Sequence, residues 1–181
     1  MERGEVMGVR RQAREAAIQA LFMCDFISDW DVSAAEFCLD HFSVSPAVRP
    51  YAGQLCKGAL ENVTKIDAKL TVASEHWSLN RMARVDRSIL RIATYELMFL
   101  DEVPINVSIN EAIEIAKRFG SDESPQFVNG VLDRVASLVR NRLKVEVVKA
   151  PEVSAIEADL EVAGIADIPL SADKDLAEDL I

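Results

Sequence analysis

"VPINVSINEAIEIAKRFG", residues 103–120, decides how this chain is to be read. Ile105, Ile109, Ala112, Ile113 and Ala116 recur at steps of three and four, the spacing of one helix face rather than the alternation of a half-buried strand. Pro104 sets the boundary before this helix, because proline holds the preceding residue away from helical geometry. Gly120 is expected to close it as a left-handed cap.

The same grammar extends in both directions. Upstream, Val85, Ile89, Ile92, Ala93, Leu97 and Leu100 describe a periodic helix that the Asp101-Glu102-Val103-Pro104 stretch stops. Before it, Ala52, Leu55, Ala59, Val63, Ile66 and Leu70 carry one apolar stripe, predicting a single long helix that ends before Trp77. Ser45-Pro46 is expected to start it, with proline where its missing N–H costs nothing. "SAAE" (33–36) has the form of a capping box and predicts a short helix over Ala34–Phe42. The first helix is expected over Val9–Phe26, with Ala13, Ala17, Ala20, Leu21 and Cys24 facing inward.

Downstream, Ser124-Pro125 reopens a helix through Phe127, Val128, Val131, Leu132, Val135, Leu138 and Val139. Asn129-Gly130 is a hairpin dipeptide, but its apolar neighbours keep the helical period, so Gly130 reads as a close helix contact. Half of the 181 residues are hydrophobic and only 6% aromatic, which suits one all-α domain with a sizeable core.

The formal net charge of −10 disfavours a partner bound by bulk charge. Its distribution matters more. Residues 151–181 hold nine acids and one base, a net of −8, which leaves −2 for residues 1–150. On composition, residues 1–149 are expected to form the folded domain and residues 150–181 a disordered acidic tail, with a short docked helix at Ile156–Val162 as the alternative. Cys24, Cys38 and Cys56 are odd in number and unpaired by motif, as free thiols in a reducing cytoplasm would be. No apolar run approaches a membrane span, so no membrane is expected.

Enzyme signatures are missing: no Walker loop, no GxGxxG after a strand, no HExxH and no GxSxG. Cys38 and His41 have a CxxH spacing to which Cys24 could add, but a structural zinc site needs a fourth ligand. A buried thiol beside a surface imidazole is the plainer reading. No metal or cofactor is expected.

Three basic groups stand out instead. Arg10 and Arg14 share a helix stripe and Arg11 lies about 100° away. In a first turn they would oppose the helix dipole, a cost a polyanion would reverse. The alternative is a solvated face offset by Glu15. In "KRFGSDESPQF" (117–127), Lys117, Arg118, Ser121 and Ser124 surround a helix start suited to phosphate, and Phe119 and Phe127 offer faces on which unpaired bases stack. Against this, Asp122 and Glu123 repel phosphate, and both phenylalanines also suit a core. Arg81, Arg84, Arg87 and Arg91 recur at three and four, the pattern of a solvated face unless it adjoins the other two groups.

"RRQAREAAIQALF", "VDRSILRIATYEL" (85–97), "VPINVSINEAIEIAKRFG" and "FVNGVLDRV" (127–135) follow one another over about residues 8–142. In this series the chain closely resembles the NusB family of bacterial transcription antitermination factors. The resemblance implies about seven helices in two packed bundles and no enzymatic activity. It implies binding of boxA-type single-stranded RNA at ribosomal RNA operons together with NusE, a small-subunit ribosomal protein, and assembly with other Nus factors on RNA polymerase. By resemblance, Arg10, Arg11, Arg14, Arg91, Phe119 and Phe127 fall on the RNA surface, and Phe22, Phe26 and Asp86 face NusE. Two departures, Gln12 within the arginine run and the apolar "MFL" at 98–100, imply weaker RNA affinity. Two other readings stay open, a protein interaction module with little intrinsic RNA affinity and a NusB-like partner of a ribosomal RNA methyltransferase. Monomer and homodimer are equally compatible with the sequence.

Overall fold

The computed structural model describes residues 2–149 apart from 43 and 76, with side chains over 8–140. The expected acidic tail lies outside the described residues. Seven α-helices follow one another: α1 (Glu2–Ile27), α2 (Val32–His41), α3 (Arg49–Glu61), α4 (Val63–Ala73), α5 (Arg84–Phe99), α6 (Ile105–Phe119) and α7 (Ser124–Lys149). A 3-10 turn at Leu79–Arg81 leads into α5, and the described residues contain no strand.

Helices α1, α2 and α3 pack on one another, while α5 touches α1 and α3 and also α4 and α6, and so links that group to the later helices. Every residue of α5 from Asp86 to Leu97 is buried. Ala13, Ala17, Ala20, Leu21 and Cys24 of α1 meet Leu55, Cys56, Ile89, Ile92, Ile115 and Leu132 in one continuous core. Cys24, Cys38 and Cys56 are buried free thiols in this core. Burial pushes Cys24 up to about 11 and Cys56 to about 12, so both are poor nucleophiles at neutral pH.

Several boundaries differ from expectation for identifiable reasons. Helix α1 starts at Glu2 instead of Val9, because no proline interrupts residues 2–8. Arg10, Arg11 and Arg14 therefore lie beyond the first turn and escape its dipole penalty. The N-cap of α2 is Asp31, whose carboxylate accepts from the Ser33 N–H at 2.7 Å, so the helix begins before the capping box at Ser33 can act. Ser45-Pro46 opens only a turn, and α3 begins at Arg49 with Pro50 in its first turn.

The single long helix expected over 52–70 is two. Asn62 ends α3 and starts α4, its side-chain amide donating to the Gly58 carbonyl at 2.9 Å. Asparagine competes for backbone partners in this way, and the stripe continues across the break because Ala59, Ile66 and Leu70 all stay buried.

Two glycines also correct the reading. Gly120 has φ −92° and ψ −170°, extended rather than left-handed. What it supplies is space, since a Cβ there would lie 2.5 Å from the Ser124 side chain and 2.8 Å from the Ala116 carbonyl oxygen. Gly130 makes no close contact, for a Cβ built on it meets nothing within 4 Å. Gly130→Ala is therefore expected to stabilise the protein by about 0.5–1 kcal/mol, the helix-propensity difference, read as a higher melting temperature. A fall in melting temperature would show that the site is crowded.

Candidate nucleic-acid interface

Arg11 reaches from α1 to α6, donating from Nε and Nη2 to both oxygens of Glu111 at 2.8 and 2.6 Å. One turn on, Glu15 of α1 receives Arg118 from the end of α6, at 2.7 and 2.8 Å. These crossing pairs tie α6 to α1 and bring residues from two of the sequence's basic groups together: Arg11 with Lys117, Arg118 and Phe119. Arg118 lies over the Phe119 ring at 4.9 Å, and Lys117 pairs with Glu114 at 2.6 Å. The side chains of Arg11 and Arg118 remain 46% and 64% exposed, so a ligand has access to both cations. The Arg11 hydrogen bonds hold the Glu111 carboxyl below the usual carboxylate range and raise Arg11 in turn.

Arg14 is placed differently. It is 4% exposed, and its Nε donates to Glu96 Oε1 at 2.8 Å. Tyr51 Oη donates to the same oxygen at 2.6 Å, so α1, α3 and α5 meet at one buried carboxylate. Arg10 remains exposed and lies over the Tyr51 ring at 5.3 Å.

The third basic group is not a solvated face throughout. Arg91 is buried, bound at both ends of its fork to Asp67 at 2.8 and 2.7 Å and stacked on Trp30 at 4.4 Å. Arg87 is buried too, paired with Asp25 and donating to the Leu79 carbonyl at 2.7 Å. Arg84 stays exposed over Phe26 at 5.5 Å, leaving Phe26 itself 60% exposed. These side chains tie α5 to α4 and to the far end of α1, away from Arg10 and Arg11.

Two concavities adjoin the edge. One of about 360 Å³ is lined by Ile18, Phe22, Met23, Phe42, Val85 and Phe119, joining an expected partner residue to an expected RNA residue. The other, about 170 Å³, brings Asp86 together with Trp77, Arg81, Ser121, Ser124 and Phe127. Ser124 is buried and its Oγ accepts from the Ser121 N–H at 2.9 Å, while Phe127 packs on the core with its ring edge-on to Trp77 at 6.3 Å.

Asp86 is 7% exposed, and its Oδ1 has no hydrogen-bond partner. Burial pushes its pKa up, against a smaller opposing effect from a Ser124 hydrogen bond. An acid whose folded pKa is raised costs stability that builds as pH climbs from its ordinary value to the raised one, is complete above that, and is absent below the ordinary value. Asp86→Asn is thus expected to raise neutral-pH stability by about 1 kcal/mol, with the gain vanishing in acid, as thermal melts at two pH values would show. Equal effects at both would contradict this assignment.

Tyr51, Glu96 and Glu111 were not singled out from the sequence, although a signal existed. Glu96 stands four residues after Ile92 and four before Leu100, on the buried stripe of α5, and a carboxylate there requires a buried cation.

The described residues thus form an all-helical protein that carries exposed cations and an exposed aromatic ring where α1 meets α6. The chain belongs to the NusB family of transcription antitermination proteins, whose sequence model matches residues 11–137. The family is non-enzymatic, and so is this chain. It is 47% identical over 137 residues to the transcription antitermination protein NusB of Geobacter sulfurreducens, covering 75% of this chain and 99% of that one. The corresponding protein of Desulfitobacterium hafniense is 46% identical over 135 residues, covering 74% and 91%. Among solved structures, T. maritima NusB superposes with a TM-score of 0.64 at 44% identity, covering 71% of this chain and 90% of that chain. The fold is shared as well with a structure of the antitermination factors NusB and NusE in complex with dsRNA, at TM-score 0.65 and 23% identity, covering 73% and 98%. Among the described residues no helix is long and apolar enough to cross a membrane.

Proposed function

We propose that this chain is an RNA-binding adaptor that takes boxA-type single-stranded RNA on the edge formed by α1 and α6, together with NusE, and helps to assemble other Nus factors on RNA polymerase at ribosomal RNA operons. The observation that carries this reading is the grouping of Arg11, Lys117 and Arg118 beside the exposed Phe119, with Arg10 exposed on the α3 flank of α1. Guanidinium and ammonium groups neutralise phosphates, and an adjacent aromatic face stacks an unpaired base. Ser121, Ser124 and Phe127 continue the edge toward α7, and Arg14 supports it from within, while Arg91 serves the fold away from it by pairing with Asp67 of α4. Phe22 and Phe26 supply the apolar contact for NusE, with Asp86 nearby as its acidic element.

A second reading has its own support. Arg11, Lys117 and Arg118 already hold carboxylates, which lowers what they gain from phosphate and favours a protein module that acquires RNA affinity only beside NusE. Labelled boxA RNA titrated with the full chain, alone and then with NusE, separates the two. The adaptor reading expects salt-dependent binding by the chain alone that NusE tightens at least about tenfold. Binding only in the mixture supports the module. Equal binding of boxA and scrambled RNA, unaffected by NusE, contradicts both.

A further inference from the structure

Beneath the basic edge lie two carboxylates on inward faces, Glu96 of α5 and Glu111 of α6. Packing alone does not account for them, since apolar residues of similar size are often neutral or better at such positions. Their geometry suggests a different use. Glu111 takes Nε and Nη2 of Arg11 and leaves Nη1 without a partner among the described residues. Glu96 takes the Tyr51 hydroxyl and so fixes the tilt of a ring over which Arg10 lies at 5.3 Å and Arg14 at 5.7 Å. Arg10 is thereby drawn to the α3 side of α1 and Arg11 to the α6 side.

We propose that Glu111 and Tyr51 are positioning residues for RNA phosphate, holding Arg11 and Arg10 on the two flanks of α1 as preset donors. This rests on the RNA-binding reading above. A free arginine side chain carries about 2 kcal/mol of rotamer entropy, which a ligand must otherwise remove on binding. Clamping the guanidinium beforehand shifts that cost to folding and leaves more of the phosphate interaction as affinity.

The sign of one substitution separates positioning from bulk charge. Glu111 is an anion beside a polyanion site, so electrostatics alone makes Glu111→Gln bind RNA more tightly. Positioning makes it bind about fivefold more weakly at 0.1 M salt, with the slope of log affinity against log salt falling by about 0.7 as one phosphate contact is lost. Tyr51→Phe keeps the ring but frees its tilt and is expected to lose about twofold, whereas Tyr51→Leu removes the platform and loses about fivefold. The measurement is fluorescence anisotropy on the full chain over a salt series, with circular dichroism confirming the fold; Tyr51→Phe, which deletes one hydroxyl, keeps the test decisive if Glu111→Gln unfolds. Unchanged or tighter binding by Glu111→Gln, or by both Tyr51 variants should Glu111→Gln unfold, at unchanged salt slope would overturn the positioning role while leaving RNA binding intact. Absence of RNA binding by the unaltered chain, alone and with NusE, would overturn both.

Discussion

Glu96→Ala is expected to destabilise the protein by about 3–5 kcal/mol, the cost of leaving a buried charge without its partner. Glu96 is 1% exposed and Arg14 4%, so water does not reach the guanidinium, which keeps only a longer 3.9 Å contact with Glu111, itself already held by Arg11. Tyr51 loses its acceptor in the same step. For a chain of this size the melting temperature should fall by roughly 10–15 °C. Exchanging the whole group, Arg14→Met with Tyr51→Phe and Glu96→Leu, should return stability to within about 1 kcal/mol of the parent, because it removes the desolvation cost along with the attraction. Thermal melts of the single and triple variants decide the point, and equal destabilisation in both would mean that Glu96 acts through volume and not charge.

Gly58→Ala should follow closely, at about 2–3 kcal/mol. A Cβ on Gly58 would lie 2.0 Å from the Tyr95 ring, and that ring is buried between α3 and α5 and stacked on Phe99 at 5.5 Å. Tyr95 is only 8% exposed, so a shift of its ring has to displace packed neighbours. Helix propensity points the other way, since alanine is favoured over glycine within a helix, so a stabilising result would mean that the ring yields easily. Pairing Gly58→Ala with Tyr95→Leu should recover part of the loss, and the non-additivity in chemical denaturation measures the clash directly.

The helices were largely legible because each apolar stripe repeats at three and four residues, and a face that must be buried leaves this mark wherever it occurs. What escaped were features set by neighbours remote in sequence. Gly58 has its meaning from Tyr95, 37 positions away, and Arg14 from Glu96, 82 positions away. The Asn62 break was hidden because it preserves the stripe on both sides. The glycine at 120 was recognised as special but for the wrong cause: crowding by Ser124 and the Ala116 carbonyl calls for it, not a positive φ.

The basic residues were visible from the start, but their grouping was not. Arg11, Arg14, Arg87 and Arg91 look alike in sequence, and only the partner across the fold separates an exposed cation from a buried tie. Glu111 and Glu15 make that division, by bringing the end of α6 to α1 and leaving the α5 arginines elsewhere.

The central claim is that RNA phosphates meet the α1–α6 edge. Its most direct test is the salt dependence of boxA RNA binding by the full chain carrying Arg10→Ala, Arg11→Ala and Arg118→Ala together, set against the unaltered chain under conditions where both are folded. Loss of three phosphate contacts should lower the magnitude of the slope by about 2, with a corresponding fall in affinity at low salt. An unchanged slope and unchanged affinity would place the RNA on a different surface.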